Sequence, residues 1–339
     1  MSSDALGTAM ETVALSAVRD ASLVCRHVQH QIDSLRAISK DDKSPVTIAD
    51  FASQAVVARR LTDELGAIRL VAEEDALALR SDEHARTREL VLEAVRIVWP
   101  EASEDDVLEA IDIGNHDGSS DAFWTLDPID GTKGFLRGEQ YAVSLAYIED
   151  SDPTLGVLGC PNLSSDHSRE FSSPDPVGSM FIAMKGKGVR VGTCGHDCAL
   201  EPLRRAQRED RGSIRLCESV ETAHTKHDAS ARVLDTLGMR SDPQRLDSQC
   251  KYAVVARGQA DAYLRMPTRK GYVEKIWDHG AGAIVATESG CVVSDVSGRP
   301  LDFGHGSRLE RNRGVICADN EIHESLVATI ADLGLNAPA

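Results

Sequence analysis

Asp127, Asp130 and Thr132 crowd into one short run, Trp124-Thr-Leu-Asp-Pro-Ile-Asp-Gly-Thr132, at the end of an apolar, strand-like stretch. A second acidic element precedes it, Val71-Ala-Glu-Glu-Asp75, and a third follows far downstream, Lys275-Ile-Trp-Asp-His279. Adjacent carboxylates repel one another unless solvent separates them or cations bridge them. Oxygen ligands at strand ends, two of them joined by a Pro-x-x-Gly turn, suit hard divalent cations. Magnesium takes such ligands, keeps several waters and shares its coordination sphere with substrate phosphate. Each piece also has an ordinary explanation: Asp-Pro and Asp-Gly form turns, Asp278 can cap a helix, and Asp50 sits where an N-cap belongs. The combination of three elements is what points to metal-assisted chemistry.

Composition narrows the class. The chain has 339 residues, enough for one large or two ordinary domains. Apolar content is 42% and charged content 27%, typical of globular proteins. The net charge of −17, from 37 basic against 54 acidic residues, argues against nucleic-acid or acidic-membrane binding. A small anionic substrate is compatible with it, because bound cations invert the local field. No run of apolar residues is long enough to span a bilayer, and Met1-Ser-Ser-Asp4 lacks a basic segment and signal core. The eight cysteines are scattered, several in apolar runs, as expected of reduced thiols in a cytoplasmic protein.

These residues need elements to place them. Apolar residues from Leu6 to Leu35 recur at helical spacing, so a long amphipathic helix opens the chain. Ser44-Pro45 breaks it, and a second helix is expected over about 50–65. Strands are expected at 68–71, 122–126, 141–148, 154–158, 180–184 and 189–191, with the Ser, Asp and Pro-rich stretch 163–179 as a loop. Residues 76–115 read as charged and helix-prone. Beyond residue 200, strands at 214–217, 262–265, 291–293 and 315–317 alternate with helices at 228–237, 250–257, 277–288 and 322–333. That alternation indicates an α/β layer.

The three acidic elements, in this order, resemble the lithium-sensitive, magnesium-dependent phosphatases of the inositol monophosphatase superfamily. The resemblance covers roughly residues 10–335. The extended run Asp127-Pro-Ile-Asp-Gly-Thr-Lys-Gly-Phe-Leu-Arg-Gly-Glu-Gln-Tyr-Ala142 is similar to the 3'(2'),5'-bisphosphate nucleotidases of fungi and plants. Glu218-Ser-Val-Glu-Thr-Ala-His224, Leu246-Asp-Ser-Gln-Cys-Lys-Tyr252, Tyr263-Leu-Arg265 and Glu274-Lys-Ile-Trp-Asp-His279 point the same way. The resemblance implies an α/β fold, a layered αβαβα sandwich. An N-terminal α+β part, 1–200, would carry most metal ligands. A C-terminal α/β part, 201–339, would carry Asp278 and the substrate contacts.

The resemblance also implies roles. Glu73, Asp127, the carbonyl of Ile129, Asp130 and Asp278 would hold two or three Mg2+ ions. Glu73 would help hold the attacking water. Asp50 and Thr132 would pair, the carboxylate polarising the hydroxyl that orients the water. His224, Ser248, Lys251 and Arg265, with Thr132 and Asp278, would surround the substrate, and Lys251 and Arg265 would bind an unreacting 5'-phosphate. Without the resemblance, Lys251 and Arg265 read as surface charges and His224 as a loop residue. His227 and His279 receive no catalytic role. Ala72 stands where the family often has glycine. The implied reaction is hydrolysis of 3'-phosphoadenosine 5'-phosphate, and of its phosphosulfate analogue, clearing a by-product of sulfate activation. An inositol polyphosphate 1-phosphatase is the enzymatic alternative, and a non-catalytic nucleotide sensor the alternative of another class. The expected partner is a small adenosine bisphosphate, on a monomer or homodimer.

Overall fold

A computed structural model describes residues 3–32, 44–195, 199–208, 210–220, 227–240, 243–267 and 271–336. Two helices open it, α1 (Ser3–His30) and α2 (Ser44–Leu65), followed by β1 (Leu70–Ala72). Two single 3₁₀ turns then lead to α3 (Ala85–Val95) and α4 (Glu104–Asp112). Next come β2 (Ala122–Asp130), α5 (Thr132–Arg137), β3 (Ala142–Glu149), β4 (Asp152–Cys160), β5 (Ser179–Met184), β6 (Val189–Thr193) and β7 (Glu201–Pro202). The later chain gives β8 (Leu216–Glu218), α6 (His227–Thr236), β9 (Gln244–Arg245), α7 (Cys250–Ala256) and β10 (Ala262–Arg265). It closes with α8 (Gly280–Glu288), β11 (Cys291–Ser294), β12 (Val315–Asp319) and α9 (Asn320–Asp332).

The strands form two sheets. The first has seven strands in chain order, β1 to β7, with β1 and β2 parallel and the rest antiparallel. The second has five, in the order β11-β12-β10-β8-β9. Side-chain alternation along each strand divides the apolar residues among three cores, as a period of two requires. In β3, Val143 and Leu145 face the core built with α1 to α4. Ala142, Ala146 and Ile148 face a second core with α7 and α8. In β12, Val315 and Cys317 enter that same second core, whereas Ile316 and Ala318 enter a third with α6 and α9. Helix, sheet, helix, sheet and helix layers result, as the family resemblance implies.

Several boundaries differ from expectation. α2 begins at Ser44, not at Asp50. Proline is compatible with the first turn of a helix, where its missing N–H costs nothing, so Ser44-Pro45 starts the element. Asp50 therefore lies inside the helix, in its second turn, and is no N-cap. β2 runs on through Asp130, with its register shifting between Asp127 and Asp130. Pro128 is tolerated at that irregularity. α8 starts at Gly280, so Asp278 lies in the preceding turn. His279 occupies the cap position without a side-chain bond, and Asp278 does not cap the helix. The two-residue strands β7 and β9 are too short to leave a periodic signal.

Candidate active site

Three segments deliver Glu73, Asp127, Asp130 and Asp278 to one cavity of about 550 Å³. Glu73 follows β1, and β1 pairs in parallel with β2, so Glu73 and Asp127 leave neighbouring strands at the same end. The β2 irregularity turns Ile129, Asp130 and Thr132 to the same cavity, and the turn before α8 adds Asp278. Ser248, Lys251 and Arg265 also line it, as do Asp247, Gln249, Tyr252, Tyr263, Tyr272 and Trp277. Asp50 does not line the cavity; it is buried within electrostatic reach of Glu73, Glu74 and Asp127. His224 and the side chain of His227 lie outside the described residues.

The carboxylates destabilise one another. Burial, then the charges of Glu73, Asp130, Asp278 and Asp50, push Asp127 well above the usual carboxylate range. Burial, Glu74 and Asp130 raise Glu73 to about 7, although Lys275 and a hydrogen bond with Asp127 work in the other direction. Burial raises Asp278 despite the opposing pull of Arg265. Asp127 Oδ1 and Asp50 Oδ1 are buried and have no hydrogen-bond partner among the described residues. Buried acceptors of this kind are costly to leave unpaired. An all-oxygen donor set whose members repel and include an orphaned carboxylate oxygen fits a hard divalent cation.

The basic groups are not solvated surface charges. Lys251 is 3% exposed and donates to the carbonyls of Ser248 at 2.7 Å and Leu246 at 3.3 Å. Its ammonium also stands 5.2 Å from the centre of the Tyr263 ring. Arg265, 8% exposed, pairs with Glu274 at 2.6 Å and reaches Asp278 at 3.5 Å. His279 is fully buried between Tyr252, whose hydroxyl lies 2.8 Å from Nδ1, and Glu274, 3.5 Å from Nε2. Burial lowers the pKa of that imidazole, against the opposing pull of Glu274. Glu274, Asp278 and His279 lie within ligating distance of one another, and Arg265 pairs with the two carboxylates of this cluster.

Sequence reasoning missed Gln249. Its backbone N–H donates to Asp130 Oδ2 at 2.6 Å, and its side chain bonds the carbonyl of Trp277 and the N–H of Gly282, each at 2.8 Å. A glutamine in a polar run carries no signal of such contacts. The nearest hint is its place beside Ser248, which adopts a left-handed φ of 68° that non-glycine residues rarely take. Glu274 was part of a quoted motif but was given no role, since its partner Arg265 lies on β10, a separate element.

This layered fold with strand-end carboxylates around a polar cavity defines a class of metal-assisted phosphatases. The chain belongs to the inositol monophosphatase family, whose profile matches residues 8–335. It is 39% identical over 338 residues to the 3'(2'),5'-bisphosphate nucleotidase of Schizosaccharomyces pombe, covering 95% of each chain. It is 40% identical over 333 residues to the protein of that name in Oryza sativa, covering 94% of this chain and 92% of that one. Among solved structures, inositol monophosphatase-II from Staphylococcus aureus superposes with a TM-score of 0.62 at 15% identity, over 97% of this chain and 98% of the other. SuhB from Mycobacterium tuberculosis gives 0.59 at 18% identity, over 97% and 98%. At such identities the structures speak for the fold alone.

Proposed function

We propose that this protein is a magnesium-dependent 3'(2'),5'-bisphosphate nucleotidase. It hydrolyses 3'-phosphoadenosine 5'-phosphate to AMP and phosphate, and takes 3'-phosphoadenosine 5'-phosphosulfate as a second substrate. The observation that carries this reading is one cavity lined by Glu73, Asp127, Asp130 and Asp278 and also by Lys251, Arg265 and four aromatic side chains. The relatives' names support the nucleotide. So does the aromatic lining, because a flat nucleobase gains from such contacts and a ring bearing hydroxyls all around gains less.

Glu73, Asp127, Asp130, Asp278 and the Ile129 carbonyl would hold two or three Mg2+ ions. When bound, magnesium neutralises the phosphate and lowers the pKa of water. The chain's own residues do the rest. Glu73 accepts a hydrogen bond from the attacking water. The Thr132 hydroxyl orients that water, and Asp50 would polarise that hydroxyl in the loaded site, although no hydrogen bond joins the two side chains among the described residues. Attack from the face opposite the 3'-oxygen forms a new P–O bond as the P–O3' bond breaks, and AMP leaves with a free 3'-hydroxyl. No side chain is phosphorylated. Ser248, Lys251, Arg265 and His224 surround the rest of the nucleotide, Lys251 and Arg265 facing the 5'-phosphate. In this reading residues 1–200 form a domain bearing most metal ligands, and 201–339 a domain bearing Asp278 and the substrate contacts. The setting is cytoplasmic; no helix of the described residues is long and apolar enough to cross a membrane.

Phosphate release with magnesium from 3'-phosphoadenosine 5'-phosphate, inositol 1,4-bisphosphate, inositol 1-phosphate and fructose 1,6-bisphosphate tests the proposal. The nucleotide should be the preferred substrate. Preference for inositol 1,4-bisphosphate would make the chain an inositol polyphosphate 1-phosphatase. Tight nucleotide binding without release would make it a sensor.

A further inference from the structure

We infer that Gln249 is a positioning residue that sets the separation of the Asp130 and Asp278 carboxylates. The inference rests on the reading that these carboxylates hold cations. They come from distant parts of the chain, one at the end of β2 and the other in the turn before α8. Gln249 touches both segments. It is 1% exposed, its backbone N–H holds Asp130 Oδ2 at 2.6 Å, and its carboxamide donates to the carbonyl of Trp277, the residue before Asp278. Its amide oxygen accepts from Gly282 N–H, in the first turn of α8. Both ends of the carboxamide are thus used on one element while the backbone is used on the other.

The surroundings leave this staple little slack. A Cβ on Gly131, next to Asp130, would stand 2.9 Å from the Ser248 Cβ, so the two loops are in close backbone contact. A Cβ on Gly282 would stand 2.3 Å from the Tyr252 ring, so α7 and α8 are equally close. Cation affinity depends on ligand separation, because magnesium demands near-ideal geometry. Groups that fix the ligands themselves contribute to affinity.

The test uses the full-length protein and measures binding of Mn2+ by electron paramagnetic resonance without substrate, beside thermal unfolding. Gln249→Met keeps length and removes both side-chain bonds. It should weaken Mn2+ binding about tenfold or more, the loss typical when a group orienting metal ligands is removed. Gln249→Glu keeps the acceptor for Gly282 but sets a carboxylate against the Trp277 carbonyl, and should weaken binding to a similar degree. Leu326→Ala, in the core between the second sheet and α9, controls for lost stability: at a comparable fall in melting temperature it should leave Mn2+ affinity unchanged. Wild-type affinity in Gln249→Met, or an equal loss in Leu326→Ala, overturns the inference. Failure of the wild type itself to bind Mn2+ overturns instead the underlying assignment of the metal site.

Discussion

At the scale of single residues, the site exchanges stability for chemistry. Asp127 is buried among like charges with an unpartnered oxygen, a kind of cost that proteins accept at functional positions. Asp127→Asn removes the charge and keeps the shape. It should abolish hydrolysis while raising the melting temperature of metal-free protein by about 1–2 °C, the shift that about 1 kcal/mol gives at this size. Magnesium should stabilise the wild type, as any ligand of the folded state does, and leave the variant unmoved. Scanning calorimetry with and without magnesium reads both effects, and a variant that melts lower in chelator would show that Asp127 is not strained by its neighbours. Thr132→Ala should lower kcat by about 10²-fold or more with little change in KM, as when a group acting on the nucleophile is lost. Steady-state kinetics decides: a raised KM at unchanged kcat would assign Thr132 to binding instead. That Glu73, Asp127, Asp130 and Asp278 belong together was legible in the sequence, because their types and strand-end positions suggest a shared chemistry, and they do line one cavity. The tie between Arg265, Glu274 and Asp278 was not, since it pairs side chains from separate elements. Asp50 shows the converse, as a plausible cap whose helix began a turn and a half earlier.

Secondary-structure elements hold these groups by close approach and by capping. α8 opens Gly280-Ala-Gly-Ala283, and its glycines admit Ala146 and Thr125 of the first sheet on one side and Tyr252 of α7 on the other. Gly282→Ala would put a methyl into the Tyr252 ring. Overpacking of this kind costs about 1–3 kcal/mol, and chemical denaturation should show that loss together with weakened metal binding. A variant as stable as the wild type would mean that Tyr252 yields freely. The sequence marked α8 as an apolar helical run closed by Gly290, yet its start was misplaced, because Ile276 and Trp277 are buried in the turn that carries Asp278 and lie outside the helix. Asp319 ends β12, caps α9 by accepting from the Glu321 N–H at 2.9 Å, and pairs with Arg205 at 2.5 Å. Burial opposes its ionisation, but the Glu321 N–H and Arg205 outweigh it and hold the carboxyl below its ordinary value of 3.8. Its contribution to stability is therefore complete above that value and is lost as pH falls through the lower folded value. Asp319→Ala should cost about 1–2 kcal/mol near neutrality, as cap removal does. In urea melts the difference from wild type should shrink as pH drops below about 4, near the ordinary carboxylate value. A gap constant with pH would separate the cap from the charge.

Over the whole molecule, the two sheets bring together groups that no local reading could join. The alternation of strand and helix beyond residue 200 announced an α/β layer, and the acidic elements announced a phosphatase, so architecture and reaction class were both legible. What was not legible was how the layers meet. Gln249 and the burial of Lys251 and Arg265 depend on α7 lying between the sheets, beside the turn that carries Asp278. That burial is also what makes the site's acidity useful. A cavity lined by Glu73, Asp127, Asp130, Asp247 and Asp278 repels a bisphosphate until cations invert its field. The central claim is thus that water attacks the 3'-phosphorus of a bisphosphate nucleotide held in this cavity. Its most direct test is turnover of 3'-phosphoadenosine 5'-phosphate with magnesium in ¹⁸O-labelled water, with products followed by ³¹P NMR and mass spectrometry. The account predicts AMP that retains an unlabelled 5'-phosphate and inorganic phosphate carrying one ¹⁸O. Adenosine 3'-phosphate as product, label in the nucleoside hydroxyl, or equal turnover after exhaustive chelation would contradict it.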